Sequence, residues 1–172
     1  MIVDTFKQVR KILCRLLEYA LILAVFVLVV DVLWGVFTRY TLGEQAKWSE
    51  ELARFVLIWV ALLGGAVAFG EKAHLGVDYF VGLLAPETNK FMTVFTQIVI
   101  LIFAITIFIY GGCRMVLDNL DQSTPALGVY GLQMGHVYLA LPIAGVFIIF
   151  FTVEQMLETL LSKKQNSGKE GA

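Results

Sequence analysis

The fifteen residues from Phe55 to Phe69 carry no charge, while Glu50, Glu51 and Arg54 stand before them and Glu71, Lys72, His74 and Asp78 follow. An apolar run with polar groups held at both ends is the pattern of a helix that crosses a bilayer. Three more such runs occur, so the chain reads as an all-α integral membrane protein with four transmembrane helices over about 16–37, 53–69, 91–112 and 137–155. At ~1.5 Å rise per residue, about 20 residues cross a ~30 Å hydrocarbon core. The second span is short by that measure, which puts Arg54 or Trp48 at interface depth. The apolar face of the third continues through Met115 and Val116 toward Leu120, so that helix is long and either tilts or projects. A chain that is 59% hydrophobic, with mean hydropathy +0.80, is too apolar for an ordinary soluble domain.

Residues 1–161 form one four-helix domain, and the polar tail 162–172 reads as disordered. Two connections are open. Residues 72–86 form either a short interfacial helix or an irregular link ended by Pro86, and residues 43–52 either an interfacial helix or the outer extension of span 2. Span 1 is longer than a signal-peptide core and lacks a small-residue cleavage site, so it is expected to stay as an anchor. Lys7, Arg10, Lys11, Arg15, Lys72, Lys90, Lys163, Lys164 and Lys169 lie on one side, against Arg39, Lys47, Arg54 and Arg114 on the other. That bias places both termini in the cytoplasm and Glu50, Glu51 and the loop 118–136 outside. Cys14 and Cys113 then sit at opposite faces and are not expected to pair.

Little in the sequence supports chemistry. His74 and His136 fall on opposite sides of the bilayer, and no Cys/His cluster has ligand spacing, so neither a metal nor a haem is expected. There is no nucleophile motif or phosphate loop, and no basic stripe for nucleic acid. The chain is read as a non-enzyme without cofactor. Asp31 is the one acid well inside an apolar run. Its structural reading is a buried ion pair with Arg54 or Arg39; its functional reading is a proton or substrate site. Glu50 and Arg54 stand i,i+4 in the favourable order, and Glu50 and Glu51 lie where a helix dipole favours acids. Glu50 and Glu51 are also candidates for docking a soluble protein by charge.

The spans carry small residues at helical spacing: Ala61 with Gly65 and Gly64 with Ala68 in the second, and Ala140 with Ala144 in the fourth, where Leu141 and Gly145 add to the close-packing face. Small side chains four apart let another helix approach closely in lipid, where packing is the main attraction between helices. Ala61, Gly64, Gly65, Ala68, Ala140, Ala144 and Gly145 are therefore candidates for contact with a larger membrane subunit. Trp34, Tyr40, Trp48, Tyr110, Tyr130 and Tyr138 form an outer aromatic belt.

Five motifs stand in order along the chain. Trp48-Ser49-Glu50-Glu51-Leu52-Ala53-Arg54 leads into Trp59-Val60-Ala61-Leu62-Leu63-Gly64-Gly65-Ala66 and then Glu71-Lys72-Ala73-His74-Leu75-Gly76-Val77-Asp78; Ser123-Thr124-Pro125-Ala126-Leu127-Gly128 and Tyr138-Leu139-Ala140-Leu141-Pro142-Ile143 follow. Over about residues 16–155 this resembles the small membrane subunit of tripartite ATP-independent periplasmic (TRAP) transporters. It departs from the pattern at Val129-Tyr130, where a proline–aromatic pair is usual.

The resemblance implies a large elevator-type membrane subunit holding the substrate and sodium sites, and a soluble periplasmic substrate-binding protein that docks transiently. It implies that the present chain is a non-catalytic scaffold in the bacterial inner membrane, serving sodium-coupled uptake of an organic acid such as sialic acid or a C4-dicarboxylate. Two alternatives stand beside it. One is a self-sufficient proton-coupled exporter of the small multidrug type using Asp31, which the long 118–136 loop argues against. The other is a haem or quinone anchor subunit.

Overall fold

The computed structural model describes residues 2–44, 46–71, 86–127 and 131–167. Within them the chain is helical: α1 (Ile2–Leu42), α2 (Lys47–Gly70), α3 (Pro86–Phe103), a π-helical segment (Ala104–Gly111), α4 (Gly112–Asp118), α5 (Met134–Tyr138) and α6 (Ala140–Ser167). Four stretches are long and apolar enough to cross a membrane: Gln8–Leu42, Lys47–Gly70, Met92–Asp118 and Met134–Thr159. These are the four expected spans, running alternately up and down. The start of α1 and the end of α6 therefore lie at one end of the bundle, while the α1–α2 turn and the loop between α4 and α5 lie at the other, here termed the hairpin end.

Residues 47–52 prove to be the outer extension of the second span, because α2 begins at Lys47. The turn before it opens at Gly43, whose φ of +80° a side chain would resist. Residues 72–85, including His74, lie outside the described residues, as do Val129 and Tyr130. The last helix runs on to Ser167, past the point where the sequence suggested a disordered tail from 162. Leu160, Leu161, Lys163, Lys164 and Gln165 are good helix formers, and no glycine or proline interrupts them before Gly168.

The third span does continue beyond Gly111-Gly112, but not as a regular α-helix. The Thr106 hydroxyl donates to the carbonyl of Ile102 at 2.7 Å, just where the wide turn begins. A π turn absorbs one extra residue. Ala104 and Gly112, eight apart, consequently fall on the same face as if they were seven apart. Gln97, Ala104, Gly112 and Val116 form the buried line of this span.

α6 is the central element and meets α2, α3 and the π segment, while α1 leans mainly on α2. The core gathers Leu17, Leu63, Ala66, Val67, Ala104, Ala144, Ile148 and Phe151. Phe151 is fully buried, with the Phe150 ring at 5.8 Å and the Phe147 ring at 6.3 Å between centroids. The close contacts rest on missing side chains. A β-carbon on Gly70 would come within 2.5 Å of the Cys14 sulfur, and one on Gly112 within 3.0 Å of Leu141.

At the end that holds the termini, polar bonds tie three helices together. Arg10 of α1 donates to the buried Glu154 of α6 at 3.3 Å, and the Gln155 amide donates to the carbonyl of Phe69 in α2 at 2.8 Å. Glu154 stands inside the bundle at this end. Its burial at 4% exposure makes the pairing matter, because a carboxylate out of water needs a partner.

Candidate functional site

The hairpin end holds the polar groups that the sequence singled out. Along α1, Asp31, Gly35 and Thr38 step by four and three residues on one buried face. Ser49, fully buried at the start of α2, donates its hydroxyl to the backbone carbonyl of Asp31 at 3.2 Å. This bond fixes the depth at which the two helices cross.

The Asp31 side chain itself is 5% exposed, and neither carboxylate oxygen has a hydrogen-bond partner among the described residues. The expected pair with Arg54 or Arg39 is not formed. Arg54 reaches outward and donates to Glu50 one turn back at 3.2 Å, both side chains being about two-thirds exposed. Arg39 stands on an exposed part of α1, two turns beyond Asp31. The physical reason is direction: Asp31 faces α2, whereas Arg54 is on the side of α2 that no other described helix covers.

An unpartnered buried carboxylate retains its desolvation cost with nothing to offset it. Asp31→Asn is therefore expected to raise the stability of the isolated chain by about 1–3 kcal/mol. Thermal unfolding in detergent reads this directly. A loss of stability would reveal a cationic partner and restore the ion-pair account.

Glu50 and Glu51 part company. Glu50 is exposed, and its carboxylate accepts from Arg54. Glu51 is half-buried, and its Oε2 accepts from the backbone N–H groups of both Ala126 and Leu127, each at 2.8 Å. It is the fastening of the loop 119–133 onto α2. Sequence reasoning missed this role because the partners are main-chain groups 75 and 76 positions away. The available signal was Pro125, which fixes the backbone just ahead of two amides with no helix or strand to bond them.

The loop is otherwise closed upon itself. Ser123 and Gln133 form an antiparallel bridge, and Thr124 gives both its amide and its hydroxyl to the carbonyl of Leu132. Gly131, which opens the returning segment, has a φ of +83° that a side chain would resist. The Gly135 amide donates to the Asn119 carbonyl at 3.0 Å, seating the loop on the end of α4. The described parts of this loop, 119–127 and 131–133, thus lie bonded to one another and to α2 over one end of the bundle.

The small residues divide between inside and outside. Ala140, Ala144 and Gly145 are buried within the chain's own bundle. A β-carbon at Gly145 would stand 2.6 Å from that of Phe108 on the π segment. These three spend their contacts internally and offer no face to another subunit. Gly64 is also turned inward, with Leu21 of α1 nearest at 3.9 Å. Ala61, Gly65 and Ala68 point the other way. With Arg54 and Leu57 they form one exposed stripe down α2, and nothing lies within 4 Å of a β-carbon built on Gly65.

Comparison with known proteins places this architecture. A family profile described as "Tripartite ATP-independent periplasmic transporters, DctQ component" matches residues 28–162. The chain is 27% identical to the sialic acid TRAP transporter small permease protein SiaQ of Vibrio cholerae, covering 90% of this chain and 87% of that one. It is 25% identical to the C4-dicarboxylate TRAP transporter small permease protein DctQ of Pseudomonas aeruginosa, over 73% of this chain and 60% of that one. It also matches the sialic acid TRAP transporter permease protein SiaT of Haemophilus influenzae, at 28% identity over 67% of this chain but only 18% of that longer one. The profile spans most of the chain, including the Glu51 fastening, the α2 stripe and the central helix. The chain belongs to the DctQ-component family, the small membrane subunit of TRAP transporters.

Proposed function

We propose that this chain is the non-catalytic scaffold subunit of a TRAP transporter, bracing a large elevator-type permease in sodium-coupled, binding-protein-dependent uptake of an organic acid. Sialic acid and C4-dicarboxylates are the substrate classes named for its relatives. In this reading the protein sits in the bacterial inner membrane with both termini in the cytoplasm, and the hairpin end faces the periplasm. The observation that carries it is the open stripe of Ala61, Gly65 and Ala68 on α2. Small residues on an uncovered face of a membrane helix favour close approach by another helix. The SiaT relative adds support, since a segment similar to this chain makes up 18% of a single longer permease there. Asp31 lies level with Ser49, the third residue of α2, and so near one end of the spans. That depth disfavours the exporter reading, which needs its carboxylate near mid-membrane.

The test is co-purification of the large permease through a tag on this chain. Gly65→Leu and Ala61→Leu are each expected to cut recovery of the permease at least about tenfold, the factor for ~1.4 kcal/mol of lost packing. Gly64→Ala, facing Leu21 within the chain, serves as the control and should leave recovery unchanged. Undiminished recovery with both stripe variants would show that this face meets lipid alone.

A further inference from the structure

The basic residues of α1 divide between two faces. Arg10 turns inward to the buried Glu154. Lys11 and Arg15 are exposed and meet no acid among the described residues. They stand i,i+4, where like charges repel across one helical turn. With Gln8, Ile12, Leu16 and Tyr19 they line an open recess on α1, opposite the side on which Leu13, Leu17 and Leu21 enter the core. The polar groups of the recess are all able to donate: the Lys11 ammonium, the Arg15 guanidinium fork, the Gln8 amide and the Tyr19 hydroxyl. No acid is among its described lining residues.

Depth and continuation decide which anion this suits. Cys14 lies against Gly70, the last residue of α2, with Glu71 directly after it. Lys11 and Arg15 therefore stand level with the end of an uncharged span, where lipid headgroups begin. Ile22 and Phe26, on the same side of α1 by helical spacing, are exposed and carry this face into the membrane. A free anion would use the cations alone, whereas a phospholipid uses the cations and the apolar face above them together. Two unpaired cations also favour a headgroup that carries no cation of its own. We propose that Lys11 and Arg15 bind the phosphate of one anionic phospholipid, whose acyl chains lie along Ile22 and Phe26. The Arg15 fork can take two phosphate oxygens at once, and Lys11 adds a point charge one turn away. The proposal rests on the membrane-spanning fold and stands independently of the transporter reading.

The test uses the full-length chain, purified in detergent and stripped of lipid. Native mass spectrometry follows binding of phosphatidylglycerol and of phosphatidylcholine with the same acyl chains. One phosphatidylglycerol per chain is expected at concentrations where phosphatidylcholine stays unbound. Lys11→Gln combined with Arg15→Gln should weaken it about thirtyfold, from ~1 kcal/mol for each basic residue near a headgroup. Arg39→Gln combined with Lys47→Gln removes the same charge at the hairpin end and should leave the affinity unchanged. Equal losses in the two double variants would mean diffuse attraction without a site and would overturn the proposal. So would phosphatidylcholine binding as tightly, or displacement of the lipid by millimolar ammonium phosphate, which would mark a site for free anions. Both double variants should melt with the wild type in lipid-free detergent. A lower melting temperature for the Lys11 and Arg15 variant alone would reveal an acid of this chain as the partner instead. In native membranes, benzoylphenylalanine in place of Ile12 should give phospholipid adducts on photo-activation. A predominant protein adduct would put another subunit on this face and overturn the lipid site.

Discussion

Glu51→Ala is expected to release the loop 119–133 while leaving the four spans in place. Two backbone amides lose their shared acceptor at once, and both bonds are to a charged group. Such bonds contribute about 1.5–3 kcal/mol each. Even one of them lost in full corresponds to roughly tenfold to a hundredfold in the opening equilibrium. Hydrogen exchange of the Ala126 and Leu127 amides should accelerate by about a hundredfold, with α6 protection unchanged. Glu51→Gln keeps an acceptor oxygen but loses the charge, so its effect should be intermediate. Glu50→Gln touches only an exposed i,i+4 pair, for which about 0.3–0.5 kcal/mol is typical, and exchange in the loop should not move. Equal behaviour of the Glu50 and Glu51 variants would dismiss the fastening. In the proposed transporter the loop faces the binding protein, so Glu51→Ala should also weaken its stimulation of uptake, by disordering the surface it meets rather than by removing an exposed charge.

The second large effect is at Gly145. Its missing side chain admits Phe108, and a β-carbon there would lie 2.6 Å from Phe108 Cβ and 3.2 Å from Ile109. Neither neighbour can withdraw easily, because the first is held near the branch point of its own side chain and both belong to the π segment. Overpacking of this kind costs about 1–3 kcal/mol for small additions. Gly145→Leu should therefore cost at least about 3 kcal/mol, which at ~2–4 °C per kcal/mol for a chain of this size lowers the melting temperature by roughly 6–12 °C. Gly65→Leu should leave the melting temperature of the isolated chain unchanged while reducing permease recovery. The two glycines look alike in sequence, each lying next to an alanine (Ala66, Ala144) within an apolar span, so opposite phenotypes would separate internal packing from assembly. If Gly145→Leu melts with the wild type, the contact between α6 and the π segment is not tight.

That the chain has four spanning helices was legible because bilayer thickness and helical rise fix the length of an apolar run, and charges such as Glu50, Arg54 and Glu71 bracket it. The family could be read for a related reason: its motifs are local, and each keeps its residues within a few turns of one another. What the sequence could not supply was azimuth. Spacing of four marks two residues as sharing a side of a helix, but not which side faces the bundle. Only the tertiary structure turned Gly145 and Ala144 inward and Gly65 and Ala61 outward. The same limit explains Asp31. Proximity in depth suggested Arg54 as its partner, yet the rotation of α2 sends Arg54 away and leaves Ser49 against the Asp31 backbone. Glu51 is the clearest case. Its carboxylate is bound by main-chain amides that every residue but proline possesses, so side-chain identity alone could not point to them until folding brought Ala126 and Leu127 within 2.8 Å.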